Sequence, residues 1–215
     1  MKNKFFKNGN KGMTLIELVV VLAIFVVISS IIVFNYSNFR STTSTQNLAN
    51  DVALSIREAQ SNAIGVRGIN SDFQYGHGIH FTTSTDTSNI VAGSNKSFIL
   101  FVDLNSNGLY DYPGSSNNST CGSYGIECEG IINISTIDNI NDIYLDGVSK
   151  SQVGMLDISF KRPNPDAIFC YRVNYSDGCQ SNFSNVSIKV SNGKFPPDEV
   201  TRMVTVWSTG QISVK

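Results

Sequence analysis

Asp103-x-Asn105-x-Asn107-Gly108-x-x-Asp111 sets four oxygen-bearing side chains at the first, third, fifth and ninth places of a loop, with glycine at the sixth. That is the spacing at which an EF-hand-like loop wraps a hard cation such as Ca2+ in oxygen ligands. The twelfth place, where a bidentate Glu belongs, is Gly114. A calcium site here would therefore need an acid from elsewhere. The competing reading needs no cation: Asn107-Gly108 after an apolar run is a strong type I′ signal and predicts a hairpin. The missing twelfth ligand favours the hairpin.

Four cysteines follow, Cys121, Cys128, Cys170 and Cys179. An even count outside a membrane reads as a disulfide framework, and four cysteines allow three pairings. The simplest joins Cys121 to Cys128 across a loop and Cys170 to Cys179 across a hairpin centred on Ser176-Asp177-Gly178. Zinc is disfavoured, because the spacings are not C-x-x-C and the histidines lie elsewhere. His77 and His80 are three apart. Gly76 and Gly78 favour a strand, on which these two side chains point to opposite faces, so they read as structural or surface residues. No Gly-x-Ser-x-Gly elbow, phosphate loop or H-E-x-x-H motif is present, and the chain is not expected to be an enzyme. Six N-x-Ser/Thr patterns, at Asn117, Asn118, Asn133, Asn174, Asn182 and Asn185, read as composition.

The elements that carry these residues begin with an unusual N-terminus. The chain has 215 residues, 16 Lys+Arg against 17 Asp+Glu, and charged residues make up only 15%, below the roughly 25% of ordinary globular proteins. That balance argues against a charge-driven disordered chain and against a strongly basic nucleic-acid binder. Yet Lys2, Lys4, Lys7 and Lys11 crowd the first twelve residues with no acid among them. An unbroken apolar run follows from Leu18 to Ile28 and resumes from Ile31 to Phe34. From Met13 to Phe34 a helix would be about 33 Å long, enough for a bilayer core of about 30 Å. The positive flank places the N-terminus in the cytoplasm. A signal peptide fits poorly, since Ser-Ser-Ile-Ile-Val-Phe offers no small-residue cleavage site. A plain anchor leaves Glu17 unexplained, because a charge inside a membrane segment is a functional hypothesis by default.

Gly12-Met13-Thr14-Leu15-Ile16-Glu17 resembles the cleavage motif of type IV prepilins and type II secretion pseudopilins: Gly, Phe or Met, Ser/Thr-Leu-x-Glu, then an apolar helix. The resemblance implies cleavage after Gly12 by a prepilin peptidase and N-methylation of Met13. It also implies that Glu17 meets the N-terminal amine of a neighbouring subunit in a filament. A buried carboxylate is tolerable when paired and costly when alone. Loss of the four leader lysines would leave 12 basic against 17 acidic residues, a charge near −5. The implied partners are other pilin or pseudopilin subunits, the prepilin peptidase, an inner-membrane assembly platform and membrane lipid. The implied location is a single-pass cytoplasmic membrane protein, N-terminus inside and C-terminal domain outside, that passes into an extracytoplasmic filament. No cofactor is implied beyond the possible Ca2+.

No Gly or Pro occurs from Met13 to Ile64, so one continuous helix of roughly 78 Å is permitted. Its weak stretch is Ser41-Thr42-Thr43-Ser44-Thr45, where hydroxyl and β-branched side chains lower helix propensity. Beyond it Leu48, Val52, Ile56, Ala59 and Ala63 form one apolar stripe. After Gly65, turn residues alternate with short apolar runs. Strands are expected at 78–82, 97–103, 131–134, 156–161, 169–174, 186–190, 202–207 and 211–214. The expected fold class is α+β, the helix's C-terminal half packed on an antiparallel β-sheet. The expected organisation is a leader over 1–12, a membrane and assembly helix over 13–34, its amphipathic continuation over 35–66, and a soluble β-rich domain over 67–215.

Within that family, three segments are similar to the GspH/FimT minor pseudopilins: the helix text from Leu48 to Ile64, Tyr75 to Phe81, and Phe101 to Gly108. The ending Thr205-Val206-Trp207-Ser208-Thr209-Gly210-Gln211-Ile212 is also like that family's closing hairpin. A minor pilin or pseudopilin subunit is therefore the expected function. The alternative is a DNA-binding competence pilin. Similar FimT-type chains carry Gly-Arg-x-Arg near the C-terminus, but here the stretch reads Gly210-Gln211-Ile212-Ser213-Val214-Lys215. Phosphate binding needs clustered Lys or Arg, and both arginines are absent.

Overall fold

The structure, a computed structural model, describes residues 12–65, 75–88, 90–112, 121–123, 125–150, 154–161, 163–174, 179–194, 196–197 and 199–215. The leader before Gly12, Gly114, the Ser176–Gly178 turn and the Asn117 and Asn118 patterns lie outside them. The chain divides into two compact units, Met1–Arg40 and Ser41–Lys215.

One helix, α1, runs over Leu15–Ile64, the span that the absence of breakers permits. Thr14 starts it: the Leu18 N–H donates to the Thr14 carbonyl at 3.1 Å, the first helical bond. In the first unit the stretch Leu15–Val33, 19 residues, is long and apolar enough to cross a membrane, and none of it is buried. Ser30 does not break the stretch, because its hydroxyl donates to the Val26 carbonyl at 2.8 Å and so satisfies itself within the helix.

In the second unit the stripe is buried as the spacing predicts: Leu48, Val52, Ile56, Ala59 and Ala63 are all in the core, joined by Ala49 and Ala53. The alanines leave room for the sheets to approach. The antiparallel structure packed on the helix is two sheets that share this core. The first has the order β3-β2-β1-β6-β7, from β1 (Gly76–Thr82), β2 (Ser97–Asp103), β3 (Cys128–Asn133), β6 (Met155–Phe160) and β7 (Ala167–Arg172). The second has the order β10-β9-β8-β4-β5, from β4 (Asn139–Leu145), β5 (Val148–Ser149), β8 (Asn185–Ser191), β9 (Thr201–Trp207) and β10 (Ile212–Val214). Every pairing among these strands is antiparallel. Alternation sends Ile79 and Phe81 of β1, Ile158 of β6, and Val186 and Ile188 of β8 into the same core as the helix stripe.

The other face of the first sheet is not left to solvent. Ile99, Phe101 and Cys128 pack there with Tyr110, which comes from the connection after β2 and is fully buried. The Tyr110 ring stands 5.0 Å from His80 and 5.6 Å from Phe101. Gly78 makes room for this packing. A Cβ there would lie 2.5 Å from the Phe101 ring and 2.8 Å from the Ile158 carbonyl, so the strand glycine marks a close approach.

Candidate functional site

The N-terminal motif sits on the first turn of α1. Thr14 is its N-cap, and its Oγ1 accepts the Glu17 N–H at 3.3 Å. Thr14-x-x-Glu17 is thus a capping-box sequence, hydroxyl at N-cap and glutamate at N3. The glutamate also lies where the helix dipole favours an anion. The Thr-x-x-Glu spacing is a helix-start signal present in the sequence, and the Thr14 hydroxyl makes the cap through the Glu17 backbone N–H. Around them the apolar surface is open: Met13 is 60% exposed and Leu15 80%. Water does not stabilise such a surface. Lipid or other apolar helices would.

The Asp103–Asp111 loop forms no two-residue hairpin. Ser106 and Gly108 take positive φ, at 62° and 82°, but a type I′ turn at Asn107-Gly108 needs it at both central residues, and Asn107 does not have it. The cause is the buried Asp103 carboxylate. Its Oδ1 accepts the Asn107 N–H at 2.9 Å and its Oδ2 the Gly108 N–H at 2.8 Å, which folds the loop round the acid. The chain reaches β3, the strand next to β2, only at Cys128.

This loop also brings together a set that the spacing did not contain. Glu127, 5% exposed, accepts the Leu104 N–H at 3.1 Å and the Asp111 N–H at 2.7 Å. It arrives from just before β3, as the missing twelfth acid would have to. Burial first, then the nearby Asp111 and Asp103 carboxylates, push its carboxyl up to about 7, against the pull of its two backbone donors. A hard cation would draw on Asp103, Asp111 and Glu127 with the amide oxygens of Asn105 and Asn107. In this arrangement the amide nitrogens face the acid instead: Asn105 Nδ2 and Asn107 Nδ2 donate to Asp111 Oδ2 at 2.5 and 2.9 Å. The Lys161 ammonium stands 3.5 Å from Asp103 Oδ2 and donates to the Ser106 carbonyl at 2.6 Å. The acids are therefore compensated by groups of the chain itself. Among the described residues no group of three or more His, Cys, Asp and Glu is placed to hold a metal ion.

Both histidines lie in β1, and both are buried, His77 at 1% and His80 at 0%, so neither is a surface residue. His80 Nδ1 lies 2.6 Å from Asp157 Oδ1, and Arg172 Nη2 donates to Asp157 Oδ2 at 2.9 Å. The same Arg172 nitrogen donates to the Tyr110 carbonyl at 2.6 Å. A buried guanidinium must be met by an anion, and Asp157 meets it while fixing the His80 ring. All three are at most 3% exposed, so the trio is sealed from any substrate and ties the loop carrying Tyr110 to β1, β6 and β7. His77 lies 3.5 Å from Glu129.

The cysteines stand in two pairs at disulfide distance, Cys121 with Cys128 and Cys170 with Cys179. Cys128 opens β3 and Cys170 lies in β7, so each pair fastens a loop to an edge strand of the first sheet.

Residues 7–33 match the family described as the prokaryotic N-terminal methylation motif. No curated protein and no solved structure matches the chain. The match covers the N-terminal segment alone and so does not distinguish the GspH/FimT pseudopilins from other pilins. What it supports is a type IV pilin-like protein.

Proposed function

We propose that this chain is a minor pilin or pseudopilin subunit with a structural rather than an enzymatic role. In this reading it is cut after Gly12 by a prepilin peptidase and methylated on Met13. It then enters a type IV pilus or a type II secretion pseudopilus through its N-terminal helix. The head domain faces outward, and the first residues start on the cytoplasmic side. The observation that carries the reading is the methylation motif placed at the capped start of a helix whose first 19 residues, Leu15–Val33, are apolar and unburied. Before assembly lipid would cover that surface, and after it the helices of other subunits. In the filament the Glu17 carboxylate would pair with a neighbour's N-terminal amine and fix register.

The test has two arms. Intact mass and N-terminal sequencing of the protein from native membranes or sheared filaments should find a chain that starts at methylated Met13. A chain that starts at Met1 overturns the processing step. Glu17→Gln then separates the two roles of Glu17, because glutamine also serves at N3 of a capping box but carries no charge. Loss of filament incorporation with an intact helix is expected. Normal incorporation would leave Glu17 a capping residue only.

A further inference from the structure

Five hydroxyl residues in a row, Ser41 to Thr45, open the second unit, and none of them brings an apolar side chain to the core. Helix propensity is low across the whole run. Yet the run is helical, and both Ser41 and Thr45 are buried, at 7% and 0%. What holds it is polar. Thr45 Oγ1 donates to Asp138 Oδ1 at 2.7 Å and Ser44 Oγ to Asp138 Oδ2. On the other side Asn192 Nδ2 donates to Ser41 Oγ at 2.7 Å. Asp138 is itself fully buried. Its own loop adds the Thr136 hydroxyl at 2.6 Å. Lys96 holds that loop in place, donating to the carbonyls of Thr136, Ile137 and Asp138 at 3.1, 2.8 and 2.6 Å. Four residues further along α1 the attachment becomes apolar, through Ala49, Val52 and Ile56.

We propose that Asp138 is a positioning residue that latches the Ser41–Gln46 stretch of the helix to the head domain. It does so separately from the apolar stripe that holds the helix beyond Leu48. Thr45 shows why the carboxylate decides the matter. Its single hydroxyl proton can go to the Ser41 carbonyl at 3.1 Å or to Asp138 at 2.7 Å. The first bond is internal to the helix and secures nothing to the sheets. The second is to a charged acceptor, the stronger kind. With the carboxylate gone, Thr45 and Ser44 lose their acceptor at the middle of the run, no apolar side chain replaces it, and only the bonds at its two ends remain, from Asn192 to Ser41 at 2.7 Å and from the Arg202 Nε–H to Gln46 Oε1 at 2.6 Å. The helix then loosens locally, while residues past Leu48 stay packed. The latch lies wholly in the second unit and requires no polymerisation, so it stands or falls apart from the assembly reading.

Hydrogen exchange followed by mass spectrometry on the full chain in detergent micelles tests it. In Asp138→Ala, amides of residues 41–47 should exchange about tenfold faster or more, while those of 52–63 and of β8 and β9 keep wild-type rates. Thr45→Val, which removes one hydroxyl and leaves the carboxylate, should accelerate the same peptide by a smaller factor. Unchanged exchange at 41–47 in both variants overturns the latch. So does equal acceleration across the helix and strands, which would make Asp138 a general stabiliser. Should Asp138→Ala fail to fold, Thr45→Val decides between the same two outcomes.

Discussion

Gln60, on the last turns of α1, donates through one nitrogen to the carbonyls of Pro165 and Gly210, at 3.0 and 3.1 Å. Pro165 belongs to the connection between β6 and β7 in the first sheet, and Gly210 to the turn between β9 and β10 in the second. One helix side chain therefore joins the ends of both sheets. The contact leaves no space at the glycine: φ is +81°, and a Cβ would sit 2.1 Å from the Pro165 carbonyl oxygen.

Gly210→Ala should accordingly be costly. Alanine resists the left-handed backbone, and its methyl meets a backbone oxygen that cannot swing aside. A loss of about 2 kcal/mol or more is expected by urea unfolding of the head domain's β signal. Gln60→Ala, which removes two hydrogen bonds at a half-buried site, should cost about 1 kcal/mol. A wild-type midpoint for Gly210→Ala would contradict the tight turn.

Acid should act on stability in two opposite steps. Glu127 is raised from 4.5 to about 7 by burial and by the Asp111 and Asp103 charges. Between those values the folded state holds a proton that the unfolded chain has released. Stability then falls as pH rises from 4.5 to 7, by at most about 1.4 kcal/mol per pH unit. Asp138 works the other way. Burial alone would raise it, but the hydroxyls of Ser44, Thr136 and Thr45 outweigh burial and hold it below its ordinary value. Its contribution is present above about pH 4 and fades as pH falls through the lowered value. From these two groups the melting temperature should therefore peak near pH 4–4.5. Glu127→Gln should flatten the limb between pH 5 and 7, and a wild-type slope in that variant would rule Glu127 out as its source.

Much of this was legible from residue spacing. The helix span followed from the absence of Gly and Pro, and the stripe from Leu48 to Ala63 followed from its period. The strand β4 was not legible. Its apolar residues Ile140, Ile143 and Leu145 should alternate, but the register shifts between Ile140 and Asp142, and the bulge breaks the period of two that identifies a strand. Glu127 and Asp138 escaped for a different reason. Each works on residues far along the chain, Leu104 for one and Thr45 for the other, and no local pattern records a long-range partner. The Ser-Thr run was read as a weak point in the helix on propensity alone, whereas tertiary hydrogen bonds make it a point of attachment.

The Asp103–Asp111 loop should keep its shape without added cation. Lys161 on Asp103 and the two amide groups on Asp111 already supply positive partners. Treatment with EDTA should leave the melting temperature unchanged. A rise on adding calcium that Asp111→Asn abolishes would show instead that the loop takes the ion, with both amides turned to present oxygen.

The cysteine pairs can be separated by their positions. Each closes a short loop, with separations of 7 and 9 residues, so chain entropy assigns each a modest stabilisation of about 2–3 kcal/mol. Their local consequences differ. Cys121–Cys128 closes a short loop that holds Glu127, and both cysteines pack with Tyr110 against the first sheet. Its loss should expose the Tyr110 packing and raise exchange in residues 104–112. Cys170–Cys179 borders the β7 edge, where Gln180 makes a paired backbone contact with Tyr171, so its loss should free residues 179–183 alone. Cys121→Ser/Cys128→Ser and Cys170→Ser/Cys179→Ser, compared by hydrogen exchange, read the two regions independently. Loosening at 179–183 in the first variant, or at 104–112 in the second, would show that the two clasps act as one unit.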